Sequence, residues 1–133
     1  MESQANVLRV RVAPDPACLP GVRQQIGRLG PGLGQRTVED LRLLVNELVT
    51  NSLRHARFVP GDGIEVSASV DGPAIHVEVR DPGPGFKRGR IADSPGRTDS
   101  WGLYLVDRLA ESWGVDTEDG CRVWFVLRAG DGI

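Results

Sequence analysis

The sequence predicts an α+β fold, a two-layer α/β sandwich with helices packed on one face of a mixed, mainly antiparallel sheet. Three observations carry this. Apolar and polar residues alternate through Val7–Ala13, Ile64–Val70 and Ile75–Val79, the period-two pattern of half-buried strands. Asp71-Gly72 and Asp119-Gly120 stand where such strands would turn back on themselves. Leu41, Leu44, Val45 and Leu48 instead recur at helical spacing, as on a helix with one buried face.

The elements follow in order. Leu8, Val10 and Val12 alternate with Arg9 and Arg11 in a short, edge-placed strand that Pro14 and Pro16 end. A helix is expected over Ala17–Leu29, broken by Gly30-Pro31-Gly32-Leu33-Gly34. Those glycines read as a helix-to-helix connection, because no strand precedes them and no Gly-Lys-Ser/Thr follows. Thr37 is expected to cap the next helix, with Asp40 in its first turn and Leu41, Leu44, Val45, Leu48 and Ser52 as its core stripe. Gly61-Asp62-Gly63 leads into a strand with Ile64, Val66, Ala68 and Val70 on one face. Its partner turns Ile75, Val77 and Val79 inward, and the same period carries Asp81 inward at the strand's end. Pro82–Ser100 is irregular, with four glycines and three prolines. Loops of that length inside a small domain are usually functional or mobile. Leu103, Val106, Ala110 and Trp113 predict a helix ending near Gly114, and Val115–Thr117 with Cys121–Arg128 a final hairpin.

The chain's 133 residues fit one domain, 1–133. A net charge of −2 gives no reason to expect direct nucleic-acid binding. No uncharged apolar stretch approaches the roughly 18–20 residues that cross a bilayer, and the first residues lack the pattern of a signal peptide. Cys18 and Cys121 are far apart and form no C-x-x-C. The expectation is a cytoplasmic protein with reduced thiols and no membrane association.

Chemistry concentrates at three places. Glu47 and Asn51 lie four apart in LRLLVNELVTNSLRHA, so a carboxylate and an amide share one helical face. The amide oxygen of Asn51 suits magnesium, which takes few protein ligands and leaves its other positions to water and phosphate. Arg54 lies nearly over Glu47 on the same helix, able to pair with it or with phosphate, whereas His55 is rotated away. Asp81-Pro82-Gly83-Pro84-Gly85 sets a carboxylate before two glycines; an inward carboxylate is costly unless hydrogen bonds reach it. Ser100-Trp101-Gly102-Leu103 opens the next helix, where free backbone amides make an anion site.

The order Glu-x-x-x-Asn, Asp-x-Gly-x-Gly, Gly-Leu resembles the N, G1 and G2 boxes of the GHKL ATP-binding superfamily, which includes gyrase, Hsp90, MutL, histidine kinases and anti-sigma-factor serine kinases. The resemblance implies a Bergerat-type fold and ATP with Mg²⁺ as cofactors. It implies Asn51 as metal ligand and Glu47 as the catalytic carboxylate. Asp81 would read adenine, Gly83 and Gly85 would let the backbone approach the base, and Gly102 and Leu103 would lie at the triphosphate. Pro82–Ser100 would be the ATP lid, its basic residues either meeting phosphate or solvated. ELVTNSLRHA and GLYLVDRLAESWG look like the stand-alone anti-sigma kinases of actinobacteria. That branch implies a serine/threonine kinase acting on a STAS-domain anti-sigma antagonist, a sigma factor as second partner, and a homodimer. Alternatives are a non-catalytic ATP-binding module and a detached histidine-kinase catalytic domain. Two departures bear on affinity and lid geometry: Ser100 replaces the first glycine of Gly-x-Gly-Leu, and Gly120-Cys121-Arg122 lacks the threonine of Gly-x-Thr.

Overall fold

The computed structural model describes residues 7–29, 32–55, 58–83 and 98–129. Strands β1 (Val7–Val12), β2 (Ile64–Asp71), β3 (Ala74–Asp81), β4 (Ser112–Asp116) and β5 (Cys121–Arg128) form one sheet in the order β1-β2-β3-β5-β4. Three helices, α1 (Leu19–Gly27), α2 (Gln35–His55) and α3 (Thr98–Leu109), complete the described residues, with a 3-10 turn at Pro16–Cys18 before α1. The α+β sandwich is as expected, with one correction. Every neighbouring strand pair among the described residues is antiparallel, so the sheet is not mixed. Strands β3 and β4, joined through α3, do run parallel, but β5 lies between them. No parallel ladder therefore forms among the described residues.

The register explains the core. Val10 and Val12 face Val66 and Ile64 across β1 and β2, and Val77 and Val79 face Phe125 and Val123 across β3 and β5. On these apolar rows lie Ile26, Leu41, Leu44, Leu48, Leu103 and Val106, all buried. Helix α2 packs against both other helices and β3. It is tied to α1 by Arg23 Nη1 donating to Asn46 Oδ1 at 3.0 Å and by Arg42 Nε donating to the Arg23 carbonyl at 3.2 Å.

The boundaries of all three helices differ from those expected. The first helix spans Leu19–Gly27, shorter than Ala17–Leu29, because Asp15 accepts the Ala17 amide and opens a 3-10 turn instead. Helix α2 starts at Gln35, with the Gly34 carbonyl taking the Val38 amide at 3.2 Å. Thr37 is thus a buried first-turn residue rather than the cap, and Asp40 lies beyond that turn. Helix α3 begins at Thr98, one turn before Gly102. It ends at Leu109, not near Gly114: the Ala110 amide closes the last turn on Val106, and the Glu111 amide crosses to Val126 of β5 at 2.8 Å. Trp113 then belongs to β4, where its Nε1 donates to Asp107 Oδ1 at 2.8 Å. Leu103, Val106, Ala110 and Trp113 are all buried or half-buried, so one apolar period runs across a helix, a corner and a strand.

The turns agree with their glycines. Asp71 pairs with Ala74, leaving Gly72-Pro73 as a two-residue loop with Gly72 at φ +59°, the geometry that tight hairpins favour. Gly120, at φ +88°, lies against the Asp81 carbonyl, and a Cβ there would collide with it. Gly120→Ala is expected to cost about 1–2 kcal/mol for the left-handed backbone alone, plus the collision at the end of β3. Urea denaturation checks this, and wild-type stability would mean that the turn rearranges freely.

Candidate functional site

The site forms where α2 meets the end of β3. Strand periodicity turns Asp81 inward beneath α2, and it is 8% exposed. Its carboxylate has donors. Ser52 Oγ donates to Oδ2 at 2.5 Å, and the Gly83 amide donates to Oδ1 at 2.7 Å. The second bond closes a tight turn over Pro82, which holds Gly83 buried beside the carboxylate. An ionised carboxylate has about four acceptor positions, so both oxygens keep capacity for a ligand's N–H. A buried acceptor with donors fixed on two sides is a rigid reader of one more donor.

Asn51, beside Ser52 on α2, is 5% exposed, and its Nδ2 has no hydrogen-bond partner. Such orphans are rare in folded proteins. A half-turn of the amide would place its oxygen there instead, the kind of hard donor a magnesium ion takes. The residues therefore fit both groups that the sequence implied: an acceptor for adenine at Asp81 and an unspent amide for Mg²⁺ at Asn51. Glu47, one turn earlier, is half-buried and has no ion-pair or hydrogen-bond partner among the described residues. Arg54 is exposed and does not pair with Glu47.

Other expected site residues fall differently. Gly102 lies in the second turn of α3, so its amide joins the intrahelical ladder and the free first-turn amides belong to residues before it. Leu103 is 1% exposed in the core. Gly85 lies outside the described residues, as does the segment 84–97 of the expected lid. The lid's expected end, Thr98–Ser100, belongs to α3. Among the described residues no cluster of three His, Cys, Asp or Glu side chains could hold a metal.

Two residues escaped the sequence reading. Spacing puts Ser52 on the core stripe, yet it is the hydroxyl that anchors Asp81. The available signal was that an inward carboxylate needs a donor, and Ser52 is the hydroxyl in that stripe. Cys121 faces Asp81 across β3 and β5. Its thiol is pushed up from 9.0 to about 12, first by burial and then by the Asp81 charge. It stays neutral beside the site and is no nucleophile. An unfolded thiol loses its proton near pH 9 while this one keeps it, so its contribution to stability falls as pH rises through that range. Unfolding free energy between pH 9 and 10 should decline more steeply in wild type than in Cys121→Ala. Equal slopes would mean that the thiol is solvated.

Comparisons with known proteins agree with this geometry. A family model described as histidine kinase-like ATPase domain matches residues 12–127. The histidine kinase domain of the Erythrobacter litoralis EL346 blue-light activated histidine kinase superimposes with a TM-score of 0.59 at 22% identity, covering 88% of this chain and 62% of that one. Acinetobacter baumannii histidine kinase AdeS superimposes with a TM-score of 0.55 at 9% identity, covering 97% of this chain and 70% of that one. At such identities the likeness is one of fold, and this chain spans 62% of the first structure's length. No curated protein matches the chain.

Proposed function

The chain belongs to the histidine kinase-like ATPase domain family, and we propose that it binds Mg·ATP and phosphorylates a serine or threonine of a STAS-domain anti-sigma antagonist. The observation that supports nucleotide binding is the pairing of a buried, donor-anchored Asp81 with an orphaned amide at Asn51 on the neighbouring helix. Asp81 accepts the exocyclic amine of adenine, and Asn51 holds the metal. Magnesium, when bound, neutralises phosphate charge in the transferring group. Glu47, half-buried on the same face and without a polar partner among the described residues, orients or deprotonates the attacking hydroxyl.

Partner switching follows from charge. A phosphate adds nearly two negative charges to the antagonist's contact surface and releases it, leaving the kinase to hold a sigma factor. A homodimer belongs to the same reading: β1 is an edge strand, and exposed edges invite pairing. Light scattering should give twice the chain mass at tens of micromolar, and a monomer there removes the dimer.

The likeness to two histidine kinases supports a second reading, a detached catalytic domain that phosphorylates a histidine on another protein. One experiment separates the two. The chain is incubated with labelled ATP and candidate STAS and histidine-bearing proteins of its genome, and the product is treated with acid. An acid-stable phosphoryl bond identifies serine or threonine, and an acid-labile one histidine. Tight ATP binding with no transfer to any candidate identifies a non-catalytic module.

A further inference from the structure

The helices cover one face of the sheet. The other face carries a groove of about 480 Å³ whose lining includes Arg9, Ser67, His76, Arg80 and Trp124. The register places Arg9, Ser67, Glu78, Trp124 and Gly114 in one row and Arg11, Glu65, Arg80, Arg122 and Asp116 in the next, with His76 in the row on the other side of the first, between Ser69 and Val126. The carboxylates of these rows are already engaged. Glu65 pairs with Arg11 at 3.3 Å, and Arg122 pairs with Glu78 at 3.2 Å and Asp116 at 3.8 Å. Arg9 and Arg80, both exposed, have no ion-pair or hydrogen-bond partner among the described residues. They leave the groove with two unspent cations.

The groove also has apolar ends. Val7, at one end, is 65% exposed. At the other, the Trp124 ring lies so closely over Gly114 that a Cβ there would meet it at 2.8 Å. An indole laid flat on a glycine offers its outer face to a ligand at little cost in conformational entropy.

We propose that this outer face docks an acidic polypeptide segment, its carboxylates on Arg9 and Arg80 and an apolar side chain on Trp124. Arginine's planar fork suits bidentate contact with a carboxylate. By register the two arginines stand two strands and two residues apart, roughly 12 Å between Cα atoms at standard sheet spacings. An extended segment with carboxylates two to four residues apart spans that distance, whereas a single small anion engages one arginine. A second copy of this chain fits poorly. The two rows hold four arginines against three carboxylates, all three already paired, so self-stacking would oppose positive to positive. A nucleic-acid backbone carries a charge at every phosphate, more than two unspent arginines neutralise.

The site is independent of the nucleotide reading and can be tested without it. The probe is a fluorescein-labelled 12-residue peptide alternating glutamate with leucine or alanine, titrated by anisotropy with the full chain. Controls are the same peptide with lysine for glutamate, and a single-stranded 12-mer DNA. Saturable binding of the acidic peptide is expected, weakened at least tenfold in Arg9→Glu/Arg80→Glu and severalfold in Trp124→Phe. Thermal melts of each variant, with Arg9→Gln/Arg80→Gln as a milder pair, verify folding. Peptide affinity unchanged in the folded double variants would overturn the proposal. So would arginine-dependent DNA binding as tight as the peptide's, or a homodimer that the double variant dissolves.

Discussion

Glu47→Ala should abolish phosphotransfer while leaving nucleotide affinity nearly intact. General-base assistance is typically worth about 10²–10⁴-fold in rate, and Glu47 is a carboxylate on the site face of α2 with no partner among the described residues. Losing a half-buried side chain with no polar partner leaves nothing unsatisfied behind it, so the fold should tolerate the change. Asn51→Ala differs in kind: the metal's amide goes, and Mg-dependent binding and transfer should fall together. The measurement is a single-turnover transfer assay beside calorimetric titration of ATP, for both variants. Full-rate transfer by Glu47→Ala would remove its catalytic assignment while sparing the kinase reading.

Much of the site was legible because two periods converge on it. Period two along β3 carries Asp81 inward, and helical period puts Asn51 and Glu47 on one face. The partner of Asp81 was harder to read. Ser52 lies on the core stripe, and spacing alone gives a buried hydroxyl the same position as a buried methyl. Sheet order is a long-range property, so the separation of β3 from β4 by β5 had no local signal. Trp113 was misplaced for a related reason, since one apolar period can be satisfied by a helix and by the strand after it. Nor does spacing give the helix starts: the Gly34 carbonyl opens α2, and Thr98 begins α3, earlier than their apolar stripes begin.

Asp81→Asn should cost both stability and nucleotide affinity. Its two oxygens accept from Ser52 Oγ and the Gly83 amide, so an amide NH₂ in place of either sets donor against donor. A hydrogen bond to a charged group contributes about 1.5–3 kcal/mol, which corresponds to a loss of tenfold or more in ATP affinity. Ser52→Ala keeps the charge but frees the carboxylate to turn, and a smaller loss is expected. Bound ATP should also raise the wild-type melting temperature by mass action, a shift that Asp81→Asn would lack.

Calorimetric titration of the wild-type chain with ATP and with GTP, each with and without Mg²⁺, tests the assignment of this site most directly. Ionised Asp81 is acceptor-only; adenine presents it an amine where guanine presents a carbonyl, so a mismatched base leaves the buried carboxylate unpaired. The account predicts saturable Mg²⁺-dependent binding of ATP and at least tenfold weaker binding of GTP. Equal affinity for the two nucleotides, or no binding of either, would contradict it.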